Sequence, residues 1–532
     1  MAARRHFVRH LSEKEGVILG LVYARRWLER EVHSLYRPWV ARFIDTAGLS
    51  PPVSSWLLEA APWDEDATLI RWFLERRNRL PIGDIAISGM DEPGELERFV
   101  AELADRWRRL GGFARDRQQE VRRVGAREKE ILNAVGGADD RERIALVDGL
   151  IHLDRPVPCW DKMGFVPRFS CPESCRHCMF IWRPPMKTVH ESAPLLAAIN
   201  RRGRNLLFTG GDLTPDLELF HQAIATMDRV ETFAILLNAR LAHSREAARQ
   251  FFAGLYRALD RRPSSFAPAR VQVQISFDEY HQEMIADRHG ALKERIPVAH
   301  VARLLLAQGE RADCSVSLIH KQNILNFSTR LFQKGVWGRL NDELERRGWA
   351  VTDIQWQTSP RLKEYPGHPG KQGGVIREAQ VTLMGTSGKM TFYFFSSCID
   401  AMGRARLMER GEYVHEGRLL EGWLDGKEVV VEPFDTDPMI WRDGTVTVFG
   451  AIHLWMGNVF EDGDQVWRRW HADPLRAALQ RMDHRLLAAH RAWNGERYDE
   501  CVRSATSPHA LMHAITSDAR ARLFLTRWLL DH

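Results

Sequence analysis

The chain has 532 residues, of which 75 are basic and 70 acidic, for a formal charge of +5. That length accommodates about two to four domains, and so even a charge balance argues against a dedicated nucleic-acid binder. No run approaches the ~18 apolar residues of a transmembrane helix, which argues against a membrane partner. The seven cysteines form no disulfide framework: Cys159, Cys314, Cys398 and Cys501 are scattered singly, as suits a protein of the reducing cytoplasm.

Residues 1–150 read as a helical N-terminal domain. Met1 to His6 carries basic residues with no apolar core behind it, so no secretory signal is predicted. Ser12 with Glu15 three residues on has the pattern of a capping box, and Tyr23 and Trp27 continue at helical spacing. Pro51-Pro52 breaks the pattern, and further helices are predicted near 64–78 and 94–110. The stretch 113–147 is dense in Arg, Asp and Glu and reads as an exposed helix with a solvated face.

From 151 to 360 strands and helices alternate. Strands are predicted near 164–170, 204–209, 231–238, 271–277, 315–319 and 350–357, with helices near 191–202, 215–227, 244–260, 293–308 and 328–347. Such alternation argues for parallel βα units, hence an α/β class.

The loop after the first strand reads C-P-E-S-C-R-H-C, which places Cys171, Cys175 and Cys178 in a C-x3-C-x2-C spacing. Structural zinc takes four ligands, usually as two separated pairs. Here there is one triplet, His177 is poorly placed to join it, and His190 lies too far along. A [4Fe–4S] cluster normally takes four cysteines, so a lone triplet points to a cluster with one iron free of protein ligands, zinc being the alternative. The second strand ends in Gly210-Gly211-Asp212; paired glycines let backbone approach a ligand closely, and the carboxylate accepts from an ammonium group. Arg270 to Asp278 alternates apolar and polar residues, then continues Glu279-Tyr280-His281 and Asp287-Arg288-His289-Gly290. The rival reading of Asp278 is a helix N-cap.

With these three elements in order, the chain resembles the radical S-adenosylmethionine (SAM) enzymes, nearest to their SPASM, peptide-modifying branch. The resemblance implies a partial (β/α)6 barrel over 151–360. It implies that Cys171, Cys175 and Cys178 hold the cluster and that SAM chelates its open iron. His177 would lie beside the adenine, Gly210, Gly211 and Asp212 would orient the SAM amino group, and Ser276 and Asp278 would sit near the ribose. The acidic residue of the glycine motif is Asp where the family more often has Glu. Asn323 matches a family position near SAM, although turn formation accounts for it equally well. Tyr280 and His281 would face the substrate, or simply begin a capped helix.

Residues 358–374 read as a loop, and strands are predicted at 379–384, 390–396, 428–432 and 445–449. The span 361–479, with Trp441 and then Trp455 to Asn458, resembles a SPASM tail. It departs from that pattern because no cysteine lies between Cys398 and Cys501, so a single cluster is expected. Residues 480–532 read as a C-terminal helical segment whose Trp528, Leu529 and Leu530 dock on the body.

Cys314 and Cys398 are candidate hydrogen-atom donors to a substrate radical, each beside the alternative of an inert core thiol. The implied activity is reductive cleavage of SAM, with the carbon radical then modifying a small molecule, and with a one-electron donor such as flavodoxin or ferredoxin as partner. The rival is a peptide maturase that docks its peptide on residues 1–150. A non-catalytic iron–sulfur or zinc protein is the other class.

Overall fold

A computed structural model describes residues 122–532 except 154–155, 174, 176, 180–190, 279, 283, 287–291, 323–335, 365–371, 387, 400–401, 408–415 and 428. The expectations for residues 1–121, and for Asn323, lie outside the described residues.

The chain is α/β. Strands β1 (Trp160–Arg168), β2 (Gly203–Gly210), β3 (Thr232–Leu237) and β4 (Arg270–Ser276) run parallel and in sequence order. A small hairpin, β5 (Met284–Ala286) and β6 (Leu292–Glu294), follows, and β7 (Cys314–Gln322) then pairs parallel to β4. Between them lie α2 (Ser192–Asn200), α3 (Leu217–Thr226), α4 (Arg245–Asp260) and α5 (Val298–Ala307); α1 (Ala138–Asp148) precedes β1. Sequential parallel strands joined by crossovers of one hand place these helices on one face of the sheet.

That face is the core. Phe165 of β1 meets Phe208 of β2 edge-on at 5.0 Å, and Phe208 meets Phe220 of α3 at 4.9 Å. Val271, Val273 and Ile275 of β4 are fully buried on it, while Gln272 between them is exposed on the other face. Helix α4 begins where the Ser244 hydroxyl accepts from Ala247 N at 3.0 Å, and its Phe251, Phe252, Leu255 and Leu259 form the buried stripe.

The sixth parallel strand is not the one the sequence suggests. Helix α6 (Val336–Glu345) leads into β8 (Trp349–Glu364), but β8 pairs antiparallel with β9 (Gln372–Gly385), and β9 with β10 (Gly388–Cys398). It is β10 that lies parallel beside β7. The reason is Phe392 and Phe394: these fully buried rings stand beside Trp337 of α6 at 6.1 and 6.3 Å, whereas β8 brings only half-buried Val351, Ile354 and Trp356.

On the opposite edge, β11 (Pro438–Trp441) pairs parallel with β1, and β12 (Thr445–Val448) and β13 (Ala451–Asn458) continue antiparallel. The result is an open, mixed sheet of 11 strands. The predicted strand at 428–432 is absent among the described residues.

Helices α7 (Gly417–Leu424), α8 (Gln465–Ala472), α9 (Pro474–Gln480), α10 (Arg485–Trp493), α11 (Gly495–Ser504), α12 (Pro508–Ile515) and α13 (Ala519–Asp531) complete the described chain. Helix α13 docks through buried Ala521, Arg522, Leu523 and Leu525, with Trp528 and Leu529 packed against the core as expected and Leu530 exposed. The predicted solvated face at 113–147 also fails in part: Asp140 and Arg143 of α1 are fully buried. Arg522 donates to Asp140 at 2.7 and 3.1 Å, and Arg143 pairs with Asp473 and donates to the Trp455 carbonyl. These partners come from residues far along the chain, which charge periodicity does not register. Among the described residues, no helix is long and apolar enough to cross a membrane.

Candidate functional site

The cysteine loop leaves the carboxyl end of β1 and is held by backbone on several sides. Gly211 N donates to Arg168 O at 2.7 Å and Asp212 N to Ser170 O at 3.0 Å. Cys178 N donates to Cys175 O at 3.3 Å, closing a turn. After β10, Arg404 N donates to Cys178 O at 2.9 Å and its Nη1 to Cys175 O at 3.1 Å. Arg240 reaches Glu173 at 2.8 Å from the turn after β3.

The glycines have a clear reason. Gly210 has φ +128°, and a Cβ there would lie 2.5 Å from Arg168 O; one on Gly211 would lie 2.6 Å from the Phe169 carbonyl. Their motif therefore presses the second strand's end against the segment that delivers Cys171. Gly403, with φ +57°, does the same on the far side, where a Cβ would lie 2.6 Å from the Met179 carbonyl carbon.

Cys175 is buried, and Cys171 and Cys178 are partly exposed. Burial, with Cys175, Cys178 and the Asp212 carboxylate as charged neighbours, pushes the Cys171 thiol up to about 12 against a backbone hydrogen bond at Glu173. The sulfurs and Asp212 are thus brought together. Three thiolates beside a carboxylate would repel one another, and a cation among them would offset that repulsion. Sulfur donors fit a soft, thiophilic metal centre. The donor set therefore fits an iron–sulfur cluster held by three cysteines. Asp212 also accepts from Thr214 N at 3.1 Å and Thr214 Oγ1 at 2.7 Å, through a single oxygen, Oδ1.

Asp278 departs from its expected place. It is fully buried, and both oxygens are occupied. Oδ1 accepts from Tyr280 N at 3.0 Å and His281 N at 2.9 Å; Oδ2 faces His281 Nδ1 at 3.0 Å and His177 Nε2 at 3.2 Å. The rival capping idea is nearer the geometry, although residues 280–282 form a turn rather than a helix. His177 stacks on Tyr280 at 4.9 Å and meets His281 edge-on at 4.7 Å.

Burial lowers His177, with Asp278 opposing. Burial would also lower His281, but Asp278 and then Cys175 hold it well above the usual histidine range. Burial would raise Asp278, and the two histidines hold it well below the carboxylate range. His177, Asp278 and His281 present ligand atoms within 4.8 Å of one another, a spacing that a metal ion could also bridge.

Ser276 is buried at the last position of β4, at the same end of the sheet, opposite Ile319. Cys398 ends β10 opposite Gln322, also at that end. Cys314 is not brought in. It opens β7 opposite Val271, five residues before Ile319 and so about 16 Å from the site's end of the strand. Burial pushes its thiol up to about 12, and it hydrogen-bonds Tyr256.

Two features escape a sequence reading. Buried Asp216 pairs with Arg168 at 2.6 Å and Arg442 at 2.8 Å, tying the ends of β1 and β11 beside the loop. His320 donates to or accepts from Ser396 at 2.9 Å, and burial brings it down to about 3. Arg168 directly before the cysteine loop was the available signal for the first; nothing local marked the second.

No protein-family model matches the chain, and no curated protein matches its sequence.

Proposed function

We propose that this chain is a radical SAM enzyme in which Cys171, Cys175 and Cys178 hold a single [4Fe–4S] cluster. The observation that carries the reading is the meeting of the three thiols with Asp212 at the carboxyl ends of β1 and β2, where parallel βα folds place their sites. Six parallel strands in sequential order with helices on one face support a partial-barrel reading of the sheet. When bound, such a cluster would offer SAM an iron free of protein ligands and would supply the electron for reductive cleavage of a sulfonium C–S bond, the source of a carbon radical for hydrogen abstraction from substrate.

The chain's own residues position and exclude. Asp212 has one oxygen committed to Thr214 and the other to receive the SAM ammonium. Gly210 and Gly211 let that carboxylate stand against the cysteine loop. Ser276 is the candidate ribose contact, Asp278 being occupied by its two histidines. The helix-free face carries Gln272, Gln274, Ser317, Tyr393 and Phe395, of which Tyr393 and Phe395 are 41% and 42% exposed. That face is the surface we assign to a small-molecule substrate. Cys398, at the near end of its strand, is the better-placed hydrogen-atom donor of the two cysteines. A flavodoxin- or ferredoxin-like donor in the cytoplasm completes the reading.

Anaerobic reconstitution tests it. The wild-type protein should bind about four irons and release 5′-deoxyadenosine from SAM on reduction, and C171A/C175A/C178A should do neither. Deoxyadenosine from the triple variant, or zinc in place of iron in the wild type, would remove the reading.

A further inference from the structure

We propose that Arg404 is a positioning residue for the metal centre: its guanidinium grips the cysteine loop by a carbonyl and keeps there a positive charge that the loaded thiolates balance. This rests on the reading of Cys171, Cys175 and Cys178 as cluster ligands.

Buried guanidiniums in this chain otherwise come with an acid. Five arginines are buried among the described residues: Arg143, Arg339, Arg404, Arg469 and Arg522. Arg143 pairs with Asp473, Arg339 with Glu294 at 2.9 Å, Arg469 with Asp148 at 2.7 Å and Arg522 with Asp140 at 2.7 Å. Arg404 is the exception: it is 2% exposed, and no carboxylate among the described residues pairs with it. Its partners are neutral carbonyls, with Nη1 donating to Cys175 O at 3.1 Å and the backbone N to Cys178 O at 2.9 Å, while its buried Nε has no acceptor. The acids around the loop are engaged elsewhere: Glu173 with Arg240, Asp216 with Arg168 and Arg442, and Asp278 with His177 and His281.

A charge held out of water without an opposite charge is costly. The backbone nonetheless delivers this one to a defined place. Gly403 opens the short turn Gly403–Leu407 with a left-handed φ of +57°, close against the Met179 carbonyl, and so sets Arg404 on the loop. The carbonyl that its guanidinium takes belongs to Cys175, the buried member of the triplet. The missing anion is then the loaded loop itself, because three thiolates around a [4Fe–4S] core leave a net negative charge that grows on reduction. A fixed cation beside it stabilises the more negative, reduced state, and net charge is one of the quantities that set a cluster's potential. In the metal-free chain the same cation is stranded.

The test compares wild type, R404K and R404Q, first without SAM, reading iron per chain after anaerobic reconstitution and the reduced cluster by EPR at poised potentials. R404Q keeps an amide donor for the Cys175 carbonyl but loses the charge. At any fixed potential its ratio of reduced to oxidised cluster should fall about tenfold, a negative shift of ~59 mV for a one-electron couple. R404K, which keeps the charge without the planar fork, should lie near wild type. The metal-free proteins should show the opposite sign: the charge has nothing to balance it there, so R404Q should melt at or above the wild-type temperature. An unchanged potential in iron-loaded R404Q overturns the proposal. So does metal-free R404Q melting below wild type, since the guanidinium would then be a hydrogen-bonding clip alone. If R404Q fails to load iron, loading of R404K supports the proposal and failure of both overturns it. A shift seen only after SAM is added also overturns it, assigning the guanidinium to that ligand's carboxylate. Failure of the underlying reading looks different, since wild type itself would then lack iron and the reduced signal.

Discussion

Side chains in this chain are read from sequence only as far as their partners are local. The cysteine triplet is visible because three cysteines fall within eight residues. Asp278 is not, because what decides its role is burial and a histidine about a hundred positions away. Asp437 is a similar case with a measurable consequence. Burial, then the neighbouring Asp435 carboxylate, pushes its carboxyl up to about 6. The unfolded group titrates near ~3.9, so below that pH both states are protonated and nothing is lost. As pH rises from about 4 to 6 the unfolded chain releases its proton first, and folded stability falls; above 6 the cost is constant. Asp437→Asn should therefore stabilise by about 1 kcal/mol at pH 8, a value reduced from the full shift because the group is only half-buried, and by nothing at pH 4. Thermal midpoints of the metal-free protein at the two pH values check it.

At the scale of elements, all six predicted strands of 151–360 are present and five of them run parallel in the sheet, because buried parallel strands announce themselves as apolar runs between glycine- and proline-rich breaks. The exception is instructive. Strand β8 has the right composition but takes an outer position, since β9 and β10 return along it and β10 brings the two rings that fill the core. Choice of neighbour is a packing decision that a strand's own pattern does not contain. The elements' ends carry the site, and there the glycines are exacting. Gly403→Ala combines a left-handed backbone with a clash against the Met179 carbonyl, and should cost about 3 kcal/mol and lower iron loading. Gly348→Ala, equally left-handed at φ +78° but with nothing within 4 Å, should cost only about 1 kcal/mol and leave loading unchanged. Urea midpoints and iron content separate the two. Equal losses in both would mean that the contact with the cysteine loop is unimportant.

For the whole molecule, the telling contact joins α1 to α13 across 382 positions, where Arg522 meets Asp140 out of reach of water. Asp140→Ala leaves a buried guanidinium beside Arg143 and should lower stability by about 3–5 kcal/mol. The double replacement D140L/R522M should recover a large part of that loss, since removing both charges avoids the stranded one. Thermal denaturation of the three proteins decides it. If the double variant is as weak as the single, the pair is worth more than its desolvation. The flanking hairpins have the widest reach. β1 already gives its outer edge to β11, and β10 gives its outer edge to β9. The first and sixth parallel strands therefore have no backbone edge left with which to pair to each other. No hydrogen-bonded seam can close that run of parallel strands on itself, and the outermost places of the ladder fall to β13 and β8 instead.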